Sequence, residues 1–205
     1  MNVQQPKMIP LFSTPIYVNN VGAFQRPDLK KVELTGGAHS FLTSVDKYIL
    51  NRPDFSHIHA LVMQHIHVYT RDILCVNPCA EFYITNSWIN VHKRGDAAGA
   101  HIHHNSIISG VLYLAVNEKS GDLVFHRDTL SLLPFPPTID LEMDSFNIYN
   151  CENWSYTPTT NDICLFPSLV NHSANPNESG EDRWCLAFNV FVRGNIGSYH
   201  KLEIR

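Results

Sequence analysis

The sequence predicts a mainly β protein with flanking helices, a double-stranded β-helix (jelly roll) whose N-terminal helices pack on one sheet. Helical periodicity is confined to residues before Cys79, and segments rich in β-branched and aromatic residues follow it. No internal repeat, low-complexity tract or Pro/Gly/Ser-rich linker divides the chain. Helices first and many short strands afterwards are typical of a sandwich or jelly roll with helices covering one face.

The length of 205 residues suits one domain with a sizeable core. We expect a single domain over 1–205, helical over about 28–75 and β-rich over about 82–205. A first helix is predicted over 38–50. A second helix is indicated by a start at Pro53 and by apolar residues at helical spacing, which are Phe55, Ile58, Val62, Ile66, Tyr69 and Ile73.

Six strands are predicted in the second half of the chain, each bounded by Gly, Asn, Asp or Pro. They cover 82–92, 107–116, 122–126, 163–166, 183–193 and 199–204. The stretch 127–162 between them has weak strand signals. It is interpreted either as a binding loop or lid, or as a pair of surface hairpins.

The composition is typical of a soluble globular protein, with 44% hydrophobic and 17% charged residues and a formal net charge of −4. A charge this small, without a long run of one sign, disfavours a general nucleic-acid footprint. Neither a signal peptide nor a bilayer-long apolar stretch is recognisable, which predicts a cytoplasmic protein without a membrane partner. Five cysteines without a Cys-x-x-Cys pair fit free thiols.

Histidines cluster in the segment GDAAGAHIHHNSIISGVLYL, residues 95–114. In an extended strand His101 and His103 point to the same face, where two imidazoles can chelate one transition metal. An exposed histidine pair is the competing interpretation. Downstream, His172 follows a strand and a Pro-Ser turn, and a barrel brings such strand ends together, so His172 is a natural third ligand.

The strand RWCLAFNVFV opens with Arg183, which shares one strand face with Cys185, Ala187 and Asn189. A planar, permanently charged guanidinium is suited to binding a carboxylate in a bidentate way. A surface arginine at a strand end is the alternative.

Six segments in this order resemble the iron(II)/2-oxoglutarate-dependent oxygenases, particularly a prolyl-hydroxylase-like group found in phages and marine bacteria. They cover roughly residues 10–193 and read LFSTPIYV, SWINVHKRGD, HIHHNSIISGVLYL, SGDLVF, DICLFPSLVNH and RWCLAFNV. The resemblance implies a dioxygenase that hydroxylates a substrate with iron(II), 2-oxoglutarate and O2, releasing succinate and CO2. If the chain is phage-encoded, it would act in the host-cell cytoplasm.

The same resemblance implies iron ligands at His101, His103 and His172. It places the arginine that binds the distal carboxylate of 2-oxoglutarate at Arg183, with further cosubstrate contacts at Tyr113 and Asn90. The primary substrate (a peptide, a metabolite or another molecule) and the oligomeric state are left open.

One position departs from the superfamily, because His103 stands where a carboxylate usually completes the metal site. Asp96 and Asp128 are the nearest carboxylates in the sequence, and neither has the family spacing. Two other functions therefore stay open: a cupin-type metalloenzyme with the same three ligands, and a non-catalytic, metal-stabilised binding or structural module.

Five other histidines and two tryptophans are interpreted as ordinary side chains outside the site, whereas His92 and His126 could line the barrel or lie on the surface. Four histidines spread around the second helix and are expected to be partly exposed: His57, His59, His65 and His67. His104 should face away from His103. Trp88 and Trp184 are expected to be core aromatic residues.

Overall fold

The computed structural model describes residues 7–36, 40–127, 141–197 and 202–204. Most of its regular structure is antiparallel β-sheet. In chain order the strands are β1 Tyr17–Asn20, β2 Leu34–Gly36, β3 Leu42–Ser44, β4 Ala80–His92, β5 Ala98–His101, β6 Ile108–Ala115, β7 Leu123–His126, β8 Asn153–Tyr156, β9 Asp162–Pro167, β10 His172–Ala174, β11 Arg183–Ile196 and β12 Leu202–Ile204. The helix α1 spans Ser56–His67 and continues as a π-helical turn, Val68–Ile73.

The strands form two sheets that face each other. The major sheet has the order β1-β9-β6-β11-β4-β3-β2, with β12 paired to β11, and the minor sheet has the order β5-β10-β7-β8. Leu123 and Phe125 of the minor sheet pack against Cys164 and Phe166 of the major sheet. This is the predicted jelly roll, and its interior lies between the two sheets.

Helix α1 covers the outer face of the major sheet. Its apolar stripe is fully buried at Ile58, Val62 and Ile66 and packs into the same core as Ile89 and Phe188 of the sheet. Burying an aliphatic side chain of this size contributes about 1.5–3 kcal/mol, which is why an amphipathic helix settles on an apolar sheet face. The second predicted helix is therefore confirmed.

The first predicted helix, 38–50, is wrong. Residues 37–39 lie outside the described residues, Leu42–Ser44 forms β3, and Ile49–Asn51 is a single 3-10 turn. Strand β3 pairs with both β2 and β4, and Ser44 Oγ also accepts a hydrogen bond from the Ile89 backbone N–H at 3.1 Å. Pairing with an existing sheet overrides weak helical periodicity, so the region 28–75 mixes strands with one α-helix.

The six predicted strands are found, with 198–201 outside the described residues at the start of the last one. Six short strands were not predicted: β1, β2, β3, β5, β8 and β10. In the stretch 127–162, residues 128–140 lie outside the described residues, and β8 pairs with β7. The role of this stretch as a lid stays a prediction. Across the described ranges, no helix is long and apolar enough to span a membrane.

Candidate metal centre

Three histidines meet at one end of the interior. His101 is the last residue of β5 and lies directly opposite His172, the first residue of β10. The prediction that His101 and His103 share one extended strand is wrong, because β5 ends at His101 and His103 lies in the loop that follows. Its backbone N–H donates to the Ser168 carbonyl at 2.9 Å, which returns the loop towards the other two histidines.

The three imidazoles are close enough to share one metal ion. One ring nitrogen from each lies within 4.8 Å of the others. The Nε2 atoms of His101 and His103 are 3.3 Å apart, and the ring of His172 lies 4.4 Å from that of His101 between centroids. Neutral imidazole is a common ligand of zinc, copper, iron and nickel.

Hydrogen bonds orient all three rings in the same way. Each Nδ1 contacts a carbonyl oxygen: His101 contacts Gly99 O at 2.8 Å, His172 contacts Val170 O at 2.9 Å, and His103 contacts Asn189 Oδ1 at 2.5 Å. Because a carbonyl oxygen only accepts, each Nδ1 must carry the proton and donate. The lone pair of each Nε2 then stays available for a metal, as in metal-ligating histidines generally.

Burial favours the uncharged form of two of the imidazoles, those of His172 and His103. Removal from water lowers the pKa of His172 to about 4, although its bond to Val170 O acts in the opposite direction. Burial likewise lowers the pKa of His103. In contrast, His101 is exposed, so one side of the cluster opens to solvent. Three protein ligands with an open side are typical of a catalytic metal site, not a closed structural one.

Among the described residues, no carboxylate belongs to the group of possible metal ligands that the three histidines form. Asp96 lies in the turn before β5, where its Oδ2 accepts from the Lys93 backbone N–H at 2.8 Å. Asp128 lies outside the described residues. The described ligand set is therefore neutral, and a divalent ion bound there would keep its full charge and attract anionic ligands.

A second polar group lies along the same interior, on three neighbouring strands. On β11, Cys185 pairs with Asn90 of β4 on one side and with Tyr113 of β6 on the other. Arg183 lies two residues from Cys185 and therefore on the same face. The guanidinium carbon of Arg183 lies 5.4 Å from the centroid of the Tyr113 ring.

This second group holds buried polar atoms without partners. Arg183 is 2% exposed and Tyr113 is 0% exposed. Within the described residues, Arg183 Nε, Tyr113 Oη and Asn90 Oδ1 have no hydrogen-bond partner, and no carboxylate pairs with Arg183. An unpaired buried polar group typically costs about 1–3 kcal/mol, and a charged one costs more. The arrangement suits a bound anion that would supply the missing partners.

The guanidinium of Arg183 is held in place from one side. Its Nη1 donates to the carbonyl oxygens of Gly121 at 3.1 Å and Ser120 at 3.3 Å. Gly121 has φ +87°, and a Cβ there would lie 2.3 Å from the Asn175 carbonyl oxygen. Only glycine fits such a position, so the tight turn that orients Arg183 depends on it.

Sequence reasoning missed several residues around the histidines. Asn189 contacts His103, and Ser109 Oγ donates to Asn189 Oδ1 at 3.0 Å. The strand pattern pointed to Asn189, because Asn189 lies on the same face of β11 as Arg183. Trp88 was expected in the core, but it is partly exposed, and its ring centroid lies 5.9 Å from that of His103. Trp184 does pack against the core.

The remaining histidines are not members of the cluster. His57 and His67 are exposed on α1, His59 and His65 are partly exposed, and His104 is exposed, as expected. His126 Nε2 lies 2.8 Å from Ser173 Oγ. His92 is buried and stacks on Phe41 with a centroid distance of 4.2 Å.

Several solved structures have the same fold. HygX from Streptomyces hygroscopicus, with nickel and 2-oxoglutarate bound, aligns with a TM-score of 0.60 and 11% identity over 86% of this chain and 82% of its own. An oxidoreductase of the 2OG-Fe(II) oxygenase family from Burkholderia pseudomallei aligns with a TM-score of 0.56 and 14% identity over 78% and 72%. Identities this low establish the fold alone. No similar sequence was found among the curated proteins.

The family model gives the functional class. The model described as 2OG-Fe(II) oxygenase matches residues 86–189, about half of the chain. That range contains both polar groups of the interior, namely His101, His103, His172, Arg183, Tyr113 and Asn90. The match agrees with the resemblance that the ordered motifs indicate. This chain therefore belongs to the 2OG-Fe(II) oxygenase family.

Proposed function

We propose that this oxygenase hydroxylates its primary substrate at a metal ion held by His101, His103 and His172, with release of succinate and CO2. The observation that carries the proposal is the buried guanidinium of Arg183 in the same interior as the histidine cluster. Among the described residues its Nε has no hydrogen-bond partner and no carboxylate pairs with it. Bound iron(II) supplies the O2 activation that couples decarboxylation of 2-oxoglutarate to oxidation of a C–H bond.

The inward face of β11 connects the two groups. Asn189, which contacts His103, and Arg183 lie at opposite ends of one row of alternating side chains, with Ala187 and Cys185 between them. A dicarboxylate bound between the two groups would have a cationic partner at each end, the metal ion and the guanidinium. 2-Oxoglutarate has that form, and its distal carboxylate would accept charge-assisted hydrogen bonds from Arg183.

Tyr113 and Asn90 complete this proposed cosubstrate pocket. Burial raises the pKa of Tyr113, so its hydroxyl stays protonated and can donate to a carboxylate. The amide of Asn90 can also present a donor, since a 180° turn exchanges its nitrogen and oxygen. Next to them, the thiols of Cys164 and Cys185 are buried, which keeps water from the inner end of the pocket.

The exposed side of His101 is where the primary substrate would approach. A cupin would use the same three ligands but would leave the buried Arg183 without a role. A structural metal module would not need an open side. Peptidyl proline is the first substrate to test, because the sequence resembles prolyl hydroxylases; amino acids and other metabolites follow.

The test is an anaerobic titration of the iron(II)-loaded protein with 2-oxoglutarate. A visible charge-transfer band that saturates at one equivalent is expected. A matched control is 2-oxobutyrate, which keeps the chelating oxo-acid end but lacks the distal carboxylate, and should bind much more weakly. Succinate formation in air, measured with and without candidate substrates, then checks turnover. Equal affinity for the two oxo acids would contradict the role given to Arg183.

A further inference from the structure

We infer that Asn189 is a positioning residue that fixes the metal-binding form of His103. His103 is the ligand that occupies the usual carboxylate position, so the inference rests on the proposed metal site and extends it. Asn189 lies on the inward face of β11 and is 8% exposed. Its Oδ1 lies 2.5 Å from Nδ1 of His103.

The acceptor of His103 differs in kind from those of the other two ligands. His101 and His172 donate to backbone carbonyl oxygens two residues earlier in the chain. A backbone carbonyl cannot become a donor. The acceptor of His103 is a side-chain amide, which has an oxygen on one side and an N–H on the other.

The orientation of that amide decides whether His103 can bind a metal. With Oδ1 facing the ring, Nδ1 carries the proton and Nε2 is free. With the amide turned by 180°, an N–H would face Nδ1, the ring proton would move to Nε2, and the metal-binding lone pair would be lost. A carboxylate ligand needs no such control, so the requirement arises from the histidine at position 103.

Buried hydroxyl groups hold the amide and the His103 loop together. Ser109, which pairs with Asn189 across the strands, is 0% exposed and donates its Oγ–H to Asn189 Oδ1 at 3.0 Å. Ser109 Oγ lies 2.9 Å from Ser168 Oγ. The backbone carbonyl of Ser168 in turn accepts from the backbone N–H of His103 at 2.9 Å. His103 is thus anchored through both its backbone and its ring by one buried network.

The test compares cobalt(II) binding, followed by its visible spectrum, in three variants. Asn189→Leu keeps the approximate size but removes the acceptor, and should weaken binding about 10- to 100-fold, the usual effect of losing a partner behind a metal ligand. Asn189→Asp presents oxygen on both sides and should bind at least as tightly as the wild type. Ser173→Ala is the matched control, because it removes the partner of a histidine outside the cluster, His126, and should change nothing.

Rescue by aspartate separates positioning from a structural role. If Asn189 only supported folding, a buried charge would do further harm, and Asn189→Asp would bind no better than Asn189→Leu; that result would overturn the inference. Normal binding by Asn189→Leu would overturn it as well. Should Asn189→Leu fail to fold, nitrogen NMR of the metal-free wild type decides, since His103 must carry its proton on Nδ1 before any metal binds; a proton on Nε2 would overturn the inference.

The inference and the proposed function can fail separately. Wild-type protein that binds cobalt(II) but not 2-oxoglutarate contradicts the proposed cosubstrate, and the Asn189 variants still decide the inference. A wild type that binds no divalent ion contradicts both.

Discussion

The two ends of the inward face of the major sheet differ in how their buried polar atoms are paired. Beside His103, the side chains of Asn189, Ser109 and Ser168 hydrogen-bond to one another. Beside Arg183, polar atoms of Arg183 itself, Tyr113 and Asn90 lack partners within the described residues. Paired atoms are complete without a ligand, whereas unpaired buried atoms are rare and call for an explanation, which in the proposed function is a bound ligand.

Two tyrosines show the same difference between equally buried groups. Tyr69 and Tyr113 are both 0% exposed. Burial raises the pKa of Tyr69 to about 12 and also raises that of Tyr113, so both keep their hydroxyl proton. Tyr69 Oη donates to Pro15 O at 2.9 Å, while Tyr113 Oη has no described partner. The first hydroxyl stabilises the fold, and the second is available to a ligand.

The largest effect is expected from removing a metal ligand. His172→Ala, His101→Ala and His103→Ala should each weaken binding of one divalent ion per chain by more than the roughly 100-fold that loss of a supporting partner causes. His126→Ala, which changes a neighbouring histidine outside the cluster, should bind normally. Isothermal titration with iron(II) or nickel(II) measures this. Normal binding by His103→Ala would instead point to a carboxylate such as Asp128.

Acid should destabilise the metal-free protein through His172. Its folded pKa of about 4 lies below the value of about 6.5 in the unfolded chain. Its contribution to stability is therefore complete above pH 6.5 and is lost as the pH falls towards 4, by about 3 kcal/mol. Urea unfolding with chelator, at several pH values, should show this loss in the wild type and not in His172→Leu. Identical pH profiles would contradict it.

Arg183 should have opposite effects on ligand binding and on stability. Arg183→Ala should weaken 2-oxoglutarate binding about 30-fold or more, with Arg183→Lys recovering part of the loss and iron(II) binding unchanged. Arg183→Met should raise the melting temperature without ligand, because it removes a buried charge that no described carboxylate pairs with. It should also abolish the stabilisation by 2-oxoglutarate. A lower melting temperature for ligand-free Arg183→Met would show that Arg183 is satisfied without a ligand.

The smallest effect, about 10-fold on 2-oxoglutarate affinity, is expected for Tyr113→Phe. This corresponds to about 1.5 kcal/mol, the lower end of what a hydrogen bond to a charged group contributes. Stability without ligand should not fall. Tyr69→Phe is the matched control, and it should lose about 1 kcal/mol of stability and leave 2-oxoglutarate affinity unchanged. Thermal melts with and without the cosubstrate distinguish the two. Equal loss of stability in both variants would show that the two tyrosine hydroxyls have the same structural role.

The sequence alone determined the jelly roll, helix α1 and the long strands, because these depend on local periodicity over many residues. It also indicated His101, His103, His172 and Arg183 as candidates, through alternation along strands and motif order. It failed for 38–50, where pairing of β3 with β4 outweighs local preference, and it missed strands of three or four residues, which carry too little pattern.

Only the tertiary structure decided which polar residues are partners. The contact between His103 and Asn189 joins residues 86 positions apart, and that between Ser109 and Ser168 joins residues 59 apart. The lack of described partners for Arg183 Nε and Tyr113 Oη is likewise visible only when every neighbouring strand is in place. The physical reason is that side-chain type and alternation are local properties, whereas hydrogen-bond pairing depends on strand register and burial, which the whole fold sets.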